Sequence, residues 1–184
     1  MGMKQEAKLR LTSEIYARRF LGYGPDETVV TWAENMTLTG FNSDSLFVLL
    51  GEVGPFNKFE IDELLDRIHK ELQLPEIRDK KQALEIIATA YVQRFIQGKA
   101  DSAETLFRLS QMCFEEGHAE VIYDFCLLHY DAVDLATEDI QYYWPDAHRG
   151  NIEKVIQNYC IKWMEEHQIA AWYKYEWTEA LNGF

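Results

Sequence analysis

Hydrophobic residues recur every three or four positions along most of the chain, which is the spacing of one face of an α-helix. The clearest series precedes Pro75 and consists of Ile61, Leu64, Leu65, Ile68 and Leu72. A longer series covers residues 79–97, about five helical turns, and stops at Gly98, a residue that commonly ends helices. The spacing therefore predicts two amphipathic helices in the middle of the chain.

The same spacing predicts shorter helices before this central pair. We expect one helix over residues 13–20 and another over residues 29–39, the second stopped by Gly40. Ser43 can cap a third, short helix that is apolar on almost every side, so we expect this helix to be central in the fold.

After the central pair, residues 102–117 and 119–130 predict an antiparallel helical hairpin, because the connection between them is short. Residues 131–150 are mixed in character and predict irregular structure with one helical turn over residues 137–142. Asn151 is then expected to cap a further helix. The first helix of the hairpin carries the apolar residues Leu106, Leu109, Cys113 and Phe114.

The C-terminal tail keeps helical spacing over residues 169–181 but changes phase, which predicts a bend near His167 and a separate short helix. Tyr173, Tyr175 and Trp177 also alternate, as the residues of a strand do, so both interpretations of the tail stay open.

Glycine and proline fall between the periodic segments rather than inside them, as expected of a helical chain. We therefore predict an all-α fold, a single globular domain over residues 1–184 with seven to nine helices packed as antiparallel hairpins. The residues expected to be buried include Trp32, Leu46, Leu64, Leu84 and Tyr91.

The chain has 184 residues and a net charge of −13, and no apolar run is long enough to cross a membrane. A strongly acidic protein repels phosphate backbones and anionic lipids, so we expect neither nucleic acid nor a membrane as partner. The N-terminus has no export or lipidation signal, and Cys113, Cys126 and Cys160 are widely spaced among apolar residues. Both features predict a cytoplasmic protein with reduced thiols.

The negative charge is concentrated in one part of the chain. Residues 101–140 carry a net charge of −9, whereas the other 144 residues carry −4. Arg108 is the one basic residue in this stretch, and its ten acidic residues are Asp101, Glu104, Glu115, Glu116, Glu120, Asp124, Asp131, Asp134, Glu138 and Asp139. Such a surface would attract a basic partner.

A set of cap and core residues recurs along the middle of the chain: Trp32, Ala33, Gly40, Ser43, Ser45, Leu46, Leu49, Gly51, Gly98, Asp101 and Leu106. In this pattern, residues 28–130 resemble a group of small helical bacterial proteins of uncharacterised function. The sequence departs from the group's pattern at Thr37, Asn42 and Leu50. The matching residues are of helix-cap and core types, so the resemblance implies a bacterial origin and an all-helical fold, but no active site.

Several patterns are candidates for catalytic or metal sites. Asp66-x-x-His69 and Glu115-x-x-His118 have the spacing of helical metal ligands, and Glu60, Glu63 and Asp66 line up as carboxylates do in helical metal-dependent hydrolases. Both patterns are also typical of a solvated helix surface, which is our interpretation. Cys126 and His129 are spaced as a thiol and a base, but Cys126 lies among apolar residues, which favours a core thiol. We predict no metal, no cofactor and no catalytic residue.

Residues 129–145 mix acids with aromatic rings, the composition of a surface that recognises a basic protein. We expect these acids to lie in a surface loop. The predicted partner-binding residues are Tyr130, Asp131, Asp134, Glu138, Asp139, Tyr142, Tyr143 and Trp144. The alternative is a loop whose rings cover the end of the bundle and whose acids are merely solvated.

The sequence therefore favours a non-enzymatic protein that binds a basic protein, of the kind found among immunity proteins and antitoxins. The oligomeric state is left open. Two other functions also stay open: a helical metal-dependent hydrolase, and a helical scaffold with an apolar pocket for a small ligand.

Overall fold

The computed structural model describes residues 3–74 and 76–167, with side chains from Leu11 onward. Within these ranges the chain forms eight α-helices, one 3-10 turn and no β-strand, which confirms the all-α prediction and its number of helices. The helices are α1 (Met3–Phe20), α2 (Thr28–Leu38), α3 (Asp44–Leu50), α4 (Lys58–Glu71), α5 (Lys80–Ile96), α6 (Ser102–Glu115), α7 (Tyr123–Thr137) and α8 (Ile152–Glu166), with the 3-10 turn (Glu120–Ile122) directly before α7.

The described residues form two compact units. The first unit contains residues 3–83 and the second contains residues 84–167. The single domain expected over residues 1–184 stays a prediction, and the predicted helix or strand at 169–181 lies outside the described residues. In the described part, no helix is long and apolar enough to span a membrane.

In the first unit, α1 packs against α2, α2 against α3 and α3 against α4. The start of α3 is tied to the end of α4 through Glu71, which accepts hydrogen bonds from the Ser45 backbone N–H at 3.2 Å and hydroxyl at 2.7 Å. The Ser43 hydroxyl also donates to Glu71, while its oxygen caps α3 by accepting from the Leu46 N–H at 3.1 Å. The two serine hydroxyl bonds lower the pKa of Glu71 because they stabilise its ionised form.

The first helix is longer than its hydrophobic spacing predicts, since α1 begins at Met3 rather than at Ser13. Residues 3–12 are rich in Lys, Gln, Glu, Ala, Leu and Arg, which favour helix by intrinsic propensity without forming an apolar stripe. Spacing alone therefore missed the first turns of this helix.

Two buried polar side chains of the first unit find partners across helices. The Trp32 ring N–H donates to the Thr12 hydroxyl at 2.7 Å, and the Tyr16 hydroxyl donates to the Leu65 carbonyl at 3.0 Å. Burial raises the pKa of Tyr16, so its hydroxyl keeps the proton that it donates. These bonds satisfy polar groups that would otherwise destabilise the core.

In the second unit, α6 and α7 form the predicted antiparallel hairpin. The Ser110 hydroxyl donates to the Cys126 sulfur at 3.5 Å, and Phe107, farther from the turn on α6, contacts His129, farther from the turn on α7. The turn between the helices contains Gly117 and His118, both with positive φ. Glycine at the first of these positions avoids the clash that a side chain would cause.

The second helix of this hairpin ends later than expected, at Thr137 instead of near Tyr130. Asp131 and Leu135 are both buried and continue the buried face of Leu128 through the last turns. The helical spacing of these last turns is hard to recognise in the sequence, because the acidic residue Asp131 occupies one of the core positions.

Phe125 is the centre of the packing between α7 and α8. Its ring is fully buried and lies edge-on to Tyr159 at 5.1 Å and Trp163 at 4.9 Å between ring centres. The Trp163 ring N–H donates to the Thr89 hydroxyl of α5 at 3.0 Å. The Asn151 side chain, expected to cap α8, instead binds its own loop: it accepts from the His148 N–H and donates to the Asp146 carbonyl.

Four of the five predicted core residues are buried: Trp32, Leu46, Leu64 and Leu84. The prediction for Tyr91 was wrong, since this residue is half-buried and its ring lies 5.2 Å from the Arg94 guanidinium. An aromatic ring one turn from an arginine on a helix can gain stability at the surface through this cation–π contact.

The three thiols are buried and form no disulfide. Burial is the main reason that the pKa of Cys113 rises to about 11 and that of Cys160 to about 12. A thiol reagent that needs thiolate should therefore modify neither Cys113 nor Cys160 in the native protein at mildly alkaline pH, and the buried position of Cys126 should keep the reagent from that thiol. All three cysteines should be modified after unfolding in guanidinium chloride. Rapid labelling of the native protein, located by peptide mass spectrometry, would contradict this expectation.

Candidate functional site

A row of aromatic and imidazole rings runs along one side of the α6–α7 hairpin. His129 of α7 lies 5.9 Å from Phe107 and 5.8 Å from Tyr130, measured between ring centres, and Tyr130 lies 6.4 Å from Phe114. Around the turn, His118 lies 4.7 Å from Phe114 and 6.2 Å from Tyr123. We call this set of six residues the ring row: Phe107, Phe114, His118, Tyr123, His129 and Tyr130.

Helical geometry explains why these rings share one side of the hairpin. Phe107 and Phe114 are seven residues apart on α6, and Tyr123 and Tyr130 are seven apart on α7, so each pair projects from one face of its helix. Phe107 is 45% exposed, Phe114 49% and Tyr123 40%. The row is therefore an apolar surface that is partly open to solvent. The sequence placed Phe114 in the apolar stripe of its helix, the side expected to be buried, yet this ring is exposed.

The pKa values of two rings of the row are shifted. Burial lowers the pKa of His129, so its imidazole is uncharged at neutral pH. Burial also raises the pKa of Tyr130, with further contributions from the nearby Cys126 thiol and Tyr143 phenol. The Tyr143 backbone N–H donates to Asp131, which directly follows Tyr130 on α7, so the 140–144 loop lies close to this end of the ring row.

Carboxylates lie close in sequence to the rings of the row, and all of them except the half-buried Asp134 are exposed. Glu104 lies one helical turn from Phe107, Asp134 lies one turn from Tyr130, and Glu115 directly follows Phe114. Glu120 stands at the start of the 3-10 turn, three residues before Tyr123. The row thus lies in the part of the chain that carries a net charge of −9.

The expectation that Asp131 lies in a surface loop was wrong. Asp131 lies on α7 and is fully buried, and its Oδ1 accepts hydrogen bonds from the backbone N–H groups of Tyr142 at 3.0 Å and Tyr143 at 3.2 Å. Its Oδ2 is also buried and has no hydrogen-bond partner among the described residues. Asp131 therefore holds the 140–144 loop against the helix and has no surface to offer a partner.

The neighbouring acids differ in how much charge they expose. Glu138 and Asp139 are exposed at the end of α7, but Asp139 lies 3.5 Å from the Arg149 guanidinium. Arg149 also donates to the Leu135 carbonyl at 2.8 Å, so it caps the helix from the following loop. The surface-loop prediction was also wrong for Asp134, which lies on α7 and is half-buried.

The three predicted aromatic residues of the 140–144 loop also separate into two groups. Tyr142 is 65% exposed and Tyr143 is 50% exposed, and their ring centres are 6.4 Å apart. Trp144 is half-buried and packs edge-on against Tyr159 at 5.5 Å, as expected for a ring that covers the end of the bundle. Tyr142 and Tyr143 extend the surface of the ring row, whereas Trp144 supports the loop.

The chain matches no protein-family model, no curated protein and no solved structure. The resemblance of residues 28–130 to uncharacterised helical bacterial proteins stays a prediction.

Sequence reasoning named Tyr130 of the ring row as a binding residue but not its five neighbours. A usable signal was present: aromatic residues at seven-residue spacing on both helices of one predicted hairpin. The missing information was which face of each helix the fold leaves uncovered. That face depends on the contacts of the whole unit.

The residues weighed as metal ligands have other surroundings. Asp66 pairs with Arg19 at 2.8 Å, and the His69 ring lies 5.5 Å from Tyr16. His118 belongs to the ring row, and Glu60 and Glu63 are exposed on α4. Across the described residues, no three His, Cys, Asp or Glu side chains are grouped as metal ligands would be.

A small cleft lies between α1, α2 and α4. Its volume is about 290 Å³ with open solvent included, below the usual range for ligand pockets, and its walls carry charged side chains together with the apolar Ile15, Val29 and Leu65. Those charges pair with each other: Arg18 with Asp26 at 3.3 Å, and Arg19 with Asp62 at 3.3 Å. The cleft is therefore too small for the pocket expected of a small-ligand scaffold, and its charged groups already have partners.

Proposed function

We propose that this chain is a non-enzymatic protein-binding domain whose α6–α7 face binds a basic protein. The face consists of the ring row, the Tyr142–Tyr143 pair and the carboxylates beside them. The observation that carries the proposal is the exposure of contacting rings inside the most acidic part of the chain. Rings supply contact area at low entropic cost, and carboxylates steer a cationic partner towards it.

Inhibition of a basic toxin, as immunity proteins and antitoxins perform it, is the specific form of this function that fits the chemistry. Such an inhibitor must associate fast and then dissociate slowly. Opposite charge favours the first requirement and aromatic anchors favour the second. This form of the proposal is supported by charge and by analogy with those protein classes.

The test uses the immobilised full chain to retain proteins from cells that naturally contain it, with retained proteins identified by mass spectrometry. A ring variant, Phe107→Ser with Phe114→Ser, should lose a basic protein that the wild type retains. The matched control, Phe47→Ser with Val48→Ser, changes two comparably exposed residues of the first unit and should retain it. Circular dichroism checks that both variants keep their helices.

Charge variants then separate steering from anchoring. Glu104→Gln, Glu115→Gln and Glu120→Gln together should slow association with the retained protein and reduce its salt dependence. Glu34→Gln, Glu63→Gln and Glu76→Gln change the net charge equally on the first unit and should have much less effect. The proposed function would be contradicted if the ring variant retained every basic protein that the wild type retains. Equal effects of the two charge variants would also contradict it.

A further inference from the structure

The ring row lacks cations of its own. Arg108 is the one basic residue between positions 101 and 140, and none of the six rings is covered by a cation in the described part of the chain. Elsewhere the same chain places arginine over tyrosine twice: Arg18 lies 6.0 Å from the Tyr23 ring centre, and Arg94 lies 5.2 Å from that of Tyr91. Exposed rings without a cation, set among carboxylates, are thus a feature of the α6–α7 face.

The orientation of the rings leaves room for cations from a binding partner. The contacts of the row are tilted or edge-on, with angles of 57° for Phe107 with His129 and 84° for Phe114 with Tyr130. By contrast, Trp163 and His167 are stacked at 13° and 3.6 Å, so these two rings cover each other's faces. No two of the contacting rings of the row are stacked in parallel, and Phe107 is 45% exposed, Phe114 49% and Tyr123 40%, so these three rings keep surface open to solvent.

Carboxylates stand one helical turn from these open faces. Glu104 is three residues before Phe107, Glu120 is three before Tyr123, and Asp134 is four after Tyr130. A planar guanidinium can stack on a ring while its N–H groups bind a carboxylate in a forked pair. The lysine ammonium is compact and strongly hydrated, so it gains less from the same combination of groups.

We propose that the α6–α7 face recognises arginine side chains of its basic partner, each guanidinium lying over a ring of the ring row and paired with the adjacent carboxylate. This inference rests on the proposed function and specifies the chemistry of the partner. It predicts selectivity for arginine over lysine at equal charge, which charge steering by itself would not produce.

The test compares two synthetic peptides of equal length and equal charge, one with arginine and one with lysine at every basic position. Binding to the full chain is measured by calorimetry at physiological ionic strength. The arginine peptide should bind about tenfold more tightly, a difference of about 1.4 kcal/mol, because a guanidinium gains more than an ammonium from a ring and a carboxylate together.

A variant with Phe107→Leu, Phe114→Leu and Tyr123→Leu keeps apolar area but removes the π faces, and it should abolish the preference for arginine. Phe59→Leu is the matched control, since Phe59 is 85% exposed on α4 and should leave the preference unchanged. Selectivity that disappears in the triple variant and persists in the control supports the inference.

Three other results would overturn it. Equal binding of both peptides, reduced by the glutamine substitutions at Glu104, Glu115 and Glu120, would leave acidic steering intact and remove arginine recognition. Arginine selectivity that persists in the triple variant would place the binding elsewhere on the chain. Binding of neither peptide would also reject arginine recognition, while the proposed function would still be decided separately by retention of a basic protein on the ring variant.

Discussion

Replacing Phe125 with alanine is expected to lower the free energy of unfolding by about 3–5 kcal/mol, the usual cost of removing a buried aromatic ring. Phe125 is fully buried and lies edge-on to both Tyr159 and Trp163, so its loss leaves a cavity lined by rings that cannot easily collapse. Urea denaturation followed by circular dichroism measures the change.

Phe107→Ala is the matched control for this substitution. Phe107 lies on the neighbouring helix α6 but is 45% exposed, so its replacement should change the free energy of unfolding by about 1 kcal/mol or less. Similar losses in the two variants would mean that the ring row is part of the core, and the proposed binding surface would then be lost as well.

Replacing Asp131 with alanine is expected to release the 140–144 loop and to cost about 1–3 kcal/mol, since two partly buried N–H groups lose their acceptor. Hydrogen exchange measured by NMR should show loss of protection at the Tyr142 and Tyr143 amides. Asp131→Asn keeps one acceptor oxygen in the same place, so these amides should stay partly protected.

Asp134→Ala is the control for the loop experiment, because Asp134 lies on the same helix and makes none of these bonds to the loop. It should leave the protection of both amides unchanged. If Asp131→Ala also left the amides protected and the stability intact, Asp131 would not hold the loop, and the earlier expectation of a surface acid would regain support.

The sequence by itself determined the helical class and the position of most helices. Helix formation depends on local spacing. The series from Ile61 to Leu72 predicts α4 because its apolar residues all fall on one face of a helix, whichever element that face packs against. Caps are equally local, so the Ser43 side chain could be assigned to the start of α3 before any packing was known. The antiparallel α6–α7 hairpin followed from the short connection at Gly117.

The tertiary structure decided which polar residues are buried and which rings are exposed. Burial of Asp131 depends on a loop that returns to α7 eleven residues later, and sequence spacing carries no information about such a contact. Likewise, Phe114 fits the apolar period of α6 but remains 49% exposed. Periodicity orders residues around one helix, whereas the neighbours of that helix determine how much of its surface they cover. The candidate binding surface is the part left uncovered, and it became visible only once the helices were placed.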